Sequence, residues 1–486
     1  MQNIRPSLVG IRWLAAAAGL IALAAGAQTV EKVADLNFSS NDGIGQGGYA
    51  PLDRFTQVGT NLWFTTSKGG TFDAGTVSRF NLVTREVEQV ASLDNVTGKA
   101  PESSLLIIGE EGYFTTVNGG AGNRGTIARI HLETGQITPI YDFPSTGDPT
   151  GQTPRGGLTP IGEELWMTTS SGGSSNRGTI VRYNLTNGQL TLVTNLDGPL
   201  LGGQAFSGLA PGPSNTWYFT TFTGGDTFGT TGLTLGAGTL GRLSFDEQGE
   251  PVVSRVASLA AGHTQFPATE PLSVGDDAIY FTTTGPNSSP GALVRYQPST
   301  GAWSNLYSFT TNTAELAALG SRPGYSGLVE WLGELYFINR LGGMSNLGAV
   351  VKFNITSNTV TKLADLRGNS SESLGSASGF FGTGTIVEEQ GRFYLYYPLT
   401  SGGAFNRGTI IRVVLPPPPI ALTISPVPGQ ERVKLDWAGG YPPFTVESAS
   451  IGEPGVWSEV LPGTTDRTLE IPMSPGGSFF RVQGAL

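Results

Sequence analysis

Between residues 62 and 415 the chain repeats one phrase seven times: an apolar–aromatic pair, two threonines, a glycine-rich stretch, then a short run carrying a cation. It is clearest in LWFTTSKGGTFDAGTVSRFNL from Leu62, GYFTTVNGGAGNRGTIARIHL from Gly112 and LWMTTSSGGSSNRGTIVRYNL from Leu165. Further copies start at Trp217, Ile279 and Leu335, and a weaker one at Phe393. The spacing, roughly 50 to 60 residues, belongs to blade-like β units rather than helical solenoids. One such unit cannot bury its apolar faces alone, so the copies must stack on one another.

Each unit divides into four strand-like pieces, A to D. In the third unit LTPI (158–161) is A, LWMTT is B and GTIVRYNL is C. The turn Thr186-Asn187-Gly188 then leads into D, QLTLVTNL. Helical periodicity is not evident anywhere, so the expected fold is all-β: a seven-bladed β-propeller of four-stranded antiparallel blades. The seventh unit supplies A, B and C and then meets four prolines at 416–419, which cannot donate to a strand ladder. The missing D has a counterpart at the other end. TVEKVADLN (29–37) matches the unit endings VEQVASL (87–93) and VTKLADL (360–366). Residues 30–36 are therefore expected to pair with 408–414, leaving no open sheet edge.

Composition fits this reading. Gly 71 and Pro 31 set many tight turns, and charged residues are only 14%. A net charge of -10 without a Lys/Arg cluster excludes nucleic acid as a partner, because phosphate binding needs concentrated positive charge. Cysteine is absent, which removes disulfides, thiolate metal sites and a lipid-anchor cysteine. Arg5 and Arg12 precede the apolar run WLAAAAGLIALAAGA, and Ala25-Gly26-Ala27 is a small-x-small cleavage signal. Residues 1–27 thus read as an export signal, and the mature chain carries no second membrane-crossing stretch. After the proline linker, VKLDW, FTVES, VWSEV, TLEIPM and SFFRVQ alternate as strands of a small fibronectin-like or immunoglobulin-like sandwich over 420–486. The domain expectation is 1–27 signal, 28–415 propeller, 416–419 linker and 420–486 sandwich.

The pattern FTT-x-x-GG followed by GT-[IV]-x-R resembles the Gloeo–Verruco (GloVer) tandem repeat of exported bacterial proteins, over most of 62–415. The resemblance implies a propeller and export, and no established chemistry. The end piece, with VES, Trp and FFRV, is similar to terminal sandwich modules of such proteins. FINR at 337–340 and YLYY at 394–397 depart from the motif. LWFTT with G-x-[IVL]-x-R also resembles blades of virginiamycin B lyase and related propellers, which implies metal-assisted elimination by His and Glu. Thr stands where those blades carry the WFTE glutamate, and His131 and His263 fall at unmatched positions, so the catalytic set does not carry over.

Strand parity locates the functional face. B–C and D–A connections emerge together, and the long ones (68–74, 170–177, 197–206, 224–238, 260–267) all lie on that side. Features repeated in every unit read as scaffold. Such are the strand-C cations Arg79, Arg129, Arg182, Arg242, Arg295, Lys352 and Arg412, expected to bond a neighbouring blade or strand end. The threonine pairs read as sheet formers, and NRGT as a turn rather than a phosphate loop. Features that differ near the axis are candidates for function. Register places Glu102, Arg155, Phe206, Glu270 and Tyr325 at the starts of A strands, around the channel mouth. Two carboxylates, an arginine and a tyrosine suit a polar ligand, or acid–base work at suitable separations. No cofactor signature, histidine pair or DxDxDG loop is present, although calcium held by carbonyl and carboxylate oxygens leaves no pattern to read. The expected function is that of an exported, monomeric binding or surface-interaction protein, extracellular, at the cell surface or periplasmic. Its expected partner is a polysaccharide or other extracellular polymer. The alternative is a metal-dependent lyase or hydrolase of the virginiamycin B lyase type.

Overall fold

The computed structural model describes residues 29–36, 46–145, 149–230, 233–259, 264–285, 290–368, 374–377, 382–472 and 477–485. The expected leader and His263 lie outside them. The chain is nearly all-β, built of four-stranded antiparallel sheets of which seven are found among the described residues. The third is typical: Thr159–Ile161, Glu164–Thr168, Thr179–Asn184 and Leu190–Asn195 pair in that order.

The seventh sheet takes Thr385–Glu389, Arg392–Leu399 and Thr409–Val414 from its own unit, and Val30–Asp35 as its fourth strand. Val30 faces Val413, Asp35 faces Thr409, and Leu36 N donates to Gly408 O at 2.9 Å. One detail marks this segment as a genuine D strand. In the first six sheets the C–D register shifts by one residue at one place, as between Ile180 and Val181. The N-terminal strand carries the same irregularity between Lys32 and Ala34. A bulge there bends and twists strand D.

Packing explains why strand B is buried on both faces instead of alternating. Leu165 and Met167 pack with Tyr113 and Ile127 of the second sheet, while Trp166 packs with Phe219 and Leu243 of the fourth. Seven buried clusters each draw on two consecutive sheets, and one of them joins Tyr396 and Ile410 of the last sheet to Phe64 and Phe80 of the first.

Polar groups link the same neighbours. Thr168 Oγ1 donates to Ser207 O of the next sheet at 2.6 Å, and Thr65, Thr220 and Thr282 do likewise to Ser103, Thr269 and Ser326. The second threonine of each pair bonds within its own sheet, as Thr169 does with Thr179 at 2.9 Å. The repeated threonines therefore act as fasteners. Thr168→Val is expected to destabilise the fold by about 1–2 kcal/mol, because the buried Ser207 carbonyl loses its donor while volume is kept. Chemical denaturation would measure this, and an unchanged midpoint would refute the role.

A second fastener runs through the backbone. Thr153 N donates to Arg124 O at 2.8 Å in the preceding unit's B–C loop, while Thr153 O accepts from Ser170 N at 3.1 Å in its own unit. Ala100, Gln204, Phe266 and Arg322 repeat the arrangement, and Ala50 makes it with Arg407 across the ends of the repeat array. All six sit at positive φ, between 51° and 62°. Gly125, just after one such loop, is obligatory: its φ is 99° and a Cβ would lie 2.1 Å from Thr116 O.

Two elements differ from the sequence reading. Thr313–Leu319 is a short helix, capped by the Asn312 side chain accepting from Ala314 N and composed of good helix formers. The 224–238 insertion is a hairpin, Phe228–Thr230 with Leu233–Leu235, and Arg177 stacks on Phe228 at 4.3 Å. Beyond the prolines, two three-stranded sheets enclose Leu435, Trp437, Phe444, Val446 and Ile471. Tyr441 ties this part to the seventh sheet, its hydroxyl donating to Leu415 O at 2.9 Å and accepting from Phe393 N at 3.1 Å.

Candidate functional site

The A strands bring their leading residues together in one small cavity of about 30 Å³, room for about two ordered waters. Its lining includes Asp53, Glu102, Arg155, Phe206, Glu270 and Thr383. Four of the five residues picked from the sequence thus converge. Tyr325 does not line the cavity and instead lies under the guanidinium of Arg340, 4.8 Å away.

Glu270 arrives from a different register than expected. The threonine fasteners end on the carbonyls of Ser103, Ser207, Thr269 and Ser326, which are therefore equivalent positions. The residues just before them are Glu102, Phe206, Ala268 and Tyr325; those just after are Ser104, Gly208, Glu270 and Gly327. Glu270 is thus two residues further along, in an inner set otherwise held by glycine and serine. Arg54 belongs to the same inner set: Thr385 Oγ1 donates to Phe55 O as Thr56 does to Leu105 O and Thr159 to Leu209 O. The small neighbours let these two long side chains meet. Arg54 Nη2 lies 3.1 Å from Glu270 Oε2, while a Cβ on Gly208 would stand 2.5 Å from Glu270 Oε1.

Asp53 and Arg54 were missed by the sequence reading, although a signal existed. In APLDRF, APESSL, TPRGGL and FPATEP the fourth residue after proline is the strand anchor, and the residue before it is Arg54, Ser104, Gly157 or Glu270.

The electrostatics are tight. The Asp53 carboxylate accepts from Arg54 N and Ser104 N, both at 2.7 Å. Burial pushes its pKa up despite the pull of the Arg54 guanidinium. Glu102 is held by Arg155 at 2.7 Å, and burial again outweighs the partner and raises its carboxyl above the ordinary value of 4.5. A carboxyl with a raised folded pKa binds its proton more tightly when folded. It therefore favours the fold at low pH and loses that advantage as pH rises through the folded value. Glu102→Gln is expected to flatten the pH dependence of thermal stability between 4.5 and that raised value. Melting curves across weakly acidic pH would check it, and parallel profiles for variant and wild type would refute it.

Four of the seven strand-C cations make an ion pair among the described residues, and the partner is not on the neighbouring blade that was expected. Arg79 bonds Glu88 at 2.7 Å, Lys352 bonds Glu334 at 2.7 Å and Arg412 bonds Glu31 at 2.8 Å, all within one sheet rather than across to a neighbour. Opposite each on strand B stands an aromatic ring, from Trp63 facing Arg79 to Tyr396 facing Arg412. NRGT forms a turn: Asn123 and Asn176 accept from Gly119 N and Gly172 N at 3.1 and 3.0 Å. His131 is turned to Glu110 at 3.7 Å, and neither residue lines the cavity. Among the described residues no group of three His, Cys, Asp or Glu is placed to hold a metal ion, and no helix is long and apolar enough to cross a membrane.

Fold and cavity together define an all-β repeat protein of propeller-like, four-stranded sheets with a charged cavity where several of its units meet. Residues 28–235 match the family model of the Gloeobacter/Verrucomicrobia repeat, which supports the family to which the repeated motif pointed. None of the curated proteins matches the sequence. Similar solved structures include an oligogalacturonate lyase in complex with manganese, 14% identical, with 81% of this chain and 99% of that one covered at a TM-score of 0.44. A putative 6-phosphogluconolactonase from Bacteroides uniformis is 15% identical over 64% of this chain and 83% of that one, at 0.40. TolB from Acinetobacter baumannii is 16% identical over 66% and 64%, at 0.35. Likenesses at this level carry no argument about ligand or chemistry here.

Proposed function

We propose that the chain is an exported binding protein that takes a polar ligand at the axial mouth. In this reading residues 28–415 form a seven-bladed β-propeller closed by the N-terminal strand, 416–419 are a linker, and 420–486 are a separate sandwich used for display or attachment outside the cytoplasm. The Ala50–Arg407 backbone bond and the buried cluster between last and first sheets support closure, and Arg5, Arg12 and Ala25-Gly26-Ala27 support export.

One observation carries the binding role. Asp53, Arg54 and Glu270 stand where the other units carry glycine, serine or threonine, and they meet Glu102 and Arg155 from two further units. Bringing charges out of water costs several kcal/mol per ion unless each is well paired, so such a cluster is a poor stabiliser. It is a suitable set of donors and acceptors for a polar molecule.

Thermal-shift screening of the purified protein against saccharides, amino acids, dicarboxylates and calcium tests this. A bound compound at about 100 times its Kd adds about 2.7 kcal/mol of stability, a shift of several degrees. The shift should vanish in Arg155→Ala. A screen without any shift, or a shift indifferent to Arg155, would overturn the proposal.

A further inference from the structure

We infer that the ligand class is a saccharide, stacked on a phenylalanine shelf beside the cavity; this rests on the axial mouth being the binding site. Phe206 lines the cavity and lies under the Arg155 guanidinium at 5.2 Å. Its ring centroid is 5.1 Å from that of Phe222, which is stacked on Phe266 at 4.9 Å with 25° between planes. All three rings are partly exposed. They form a continuous apolar strip leading from the charged cavity.

The scaffold does not require this strip. Where the fourth sheet has Phe222, just past strand B, the others place Ser67, Val117, Ser170, Thr284 or Arg340. At the Phe266 position they place Ala50, Ala100, Thr153, Gln204 or Arg322. Phe266 also holds φ at 62°, uncommon for a bulky aromatic residue. Two aromatic residues at otherwise small or polar positions, Phe222 and Phe266, thus converge on Phe206 from neighbouring connections.

The chemistry selects the occupant. A pyranose ring offers an apolar C–H face to an aromatic ring and a rim of hydroxyls that both donate and accept. The shelf suits the face. Arg155 and Glu102, locked together at 2.7 Å at its end, suit the rim as donor and acceptor. Nucleobases stack equally well on such rings, but three carboxylates at the mouth and a net charge of -10 oppose their phosphates. The cavity is too small for a whole sugar ring, which places the ring on the shelf with only hydroxyls or bridging waters reaching inward.

The test is calorimetric titration of the full protein with neutral gluco-, xylo- and manno-oligosaccharides and with uronic-acid oligosaccharides. At least one should bind, and Phe222→Ala and Phe266→Ala should each weaken it at least tenfold. Phe222→Leu, which keeps apolar volume without a ring, guards against misfolding and should weaken binding similarly with its melting temperature preserved. Binding indifferent to the phenylalanines yet lost in Arg155→Ala would sink the shelf and leave the mouth standing. Binding indifferent to all of these variants would sink both. If no saccharide binds while another compound shifts the melt through Arg155, the saccharide assignment alone fails.

Discussion

Removal of residues 29–36 is expected to lower the melting temperature by about 5 °C, with loss of a single cooperative transition. The deletion strips the fourth strand from the seventh sheet and exposes the Thr409–Val414 edge. It also uncovers a core: Leu36 is fully buried in the cluster joining last and first sheets, with Val33 and Ala34 packed against it. At about 1.5–3 kcal/mol per fully buried aliphatic side chain, these contacts together are worth on the order of 5 kcal/mol. An exposed strand edge also invites pairing with another chain, so the truncated protein should aggregate. Glu31→Ala is the control. It removes the ion pair with Arg412, whose Glu31 side chain is 43% exposed, and should cost well under about 1 kcal/mol. If the truncated protein melts like the full chain, the N-terminal strand is not a structural member of the seventh sheet.

The second large effect is expected at the Arg54–Glu270 pair. Arg54→Met leaves Glu270 facing Asp53 and Glu102 without its partner. Breaking a fully buried pair costs about 3–5 kcal/mol, but the Arg54 side chain is 42% exposed. About 2 kcal/mol is therefore the expected loss after allowing for screening. The double variant Arg54→Met/Glu270→Leu should recover most of it, since the uncompensated charge is gone. Denaturant titrations of the singles and the double would show this as a non-additive cycle. Additive losses would mean that the two side chains do not act as a pair.

Much of this architecture was legible in the sequence because the repeat states it many times. Strands B and C could be placed from FTT and GT-x-x-R alone, and the unpaired tail TVEKVADLN announced its own partner. Less legible were features that repeat in geometry but not in residue type. The backbone fasteners involve alanine, threonine, glutamine, phenylalanine and arginine at one equivalent position, because the backbone makes the bonds. The register of Glu270 went astray for a related reason. The A strands are only two to five residues long and offer little pattern, and the better ruler was the proline that stands four residues before the buried anchor in the first, second, third and fifth units. The Thr313–Leu319 helix has no buried residue, so it leaves no apolar periodicity to detect. For Arg79, Arg182, Lys352 and Arg412 the partner was misjudged because a glutamate stands one strand away in the same sheet, as Glu88 does beside Arg79.

The backbone fastening between neighbouring units has a consequence for how such a molecule can change. At Gln204 or Phe266 the joint is made by the backbone, so substitution there redraws the surface a visitor meets while neighbouring sheets stay fastened. In the proposed binding role, recognition and architecture would thus fall to separate atoms of the same residues. A new specificity requires no new skeleton.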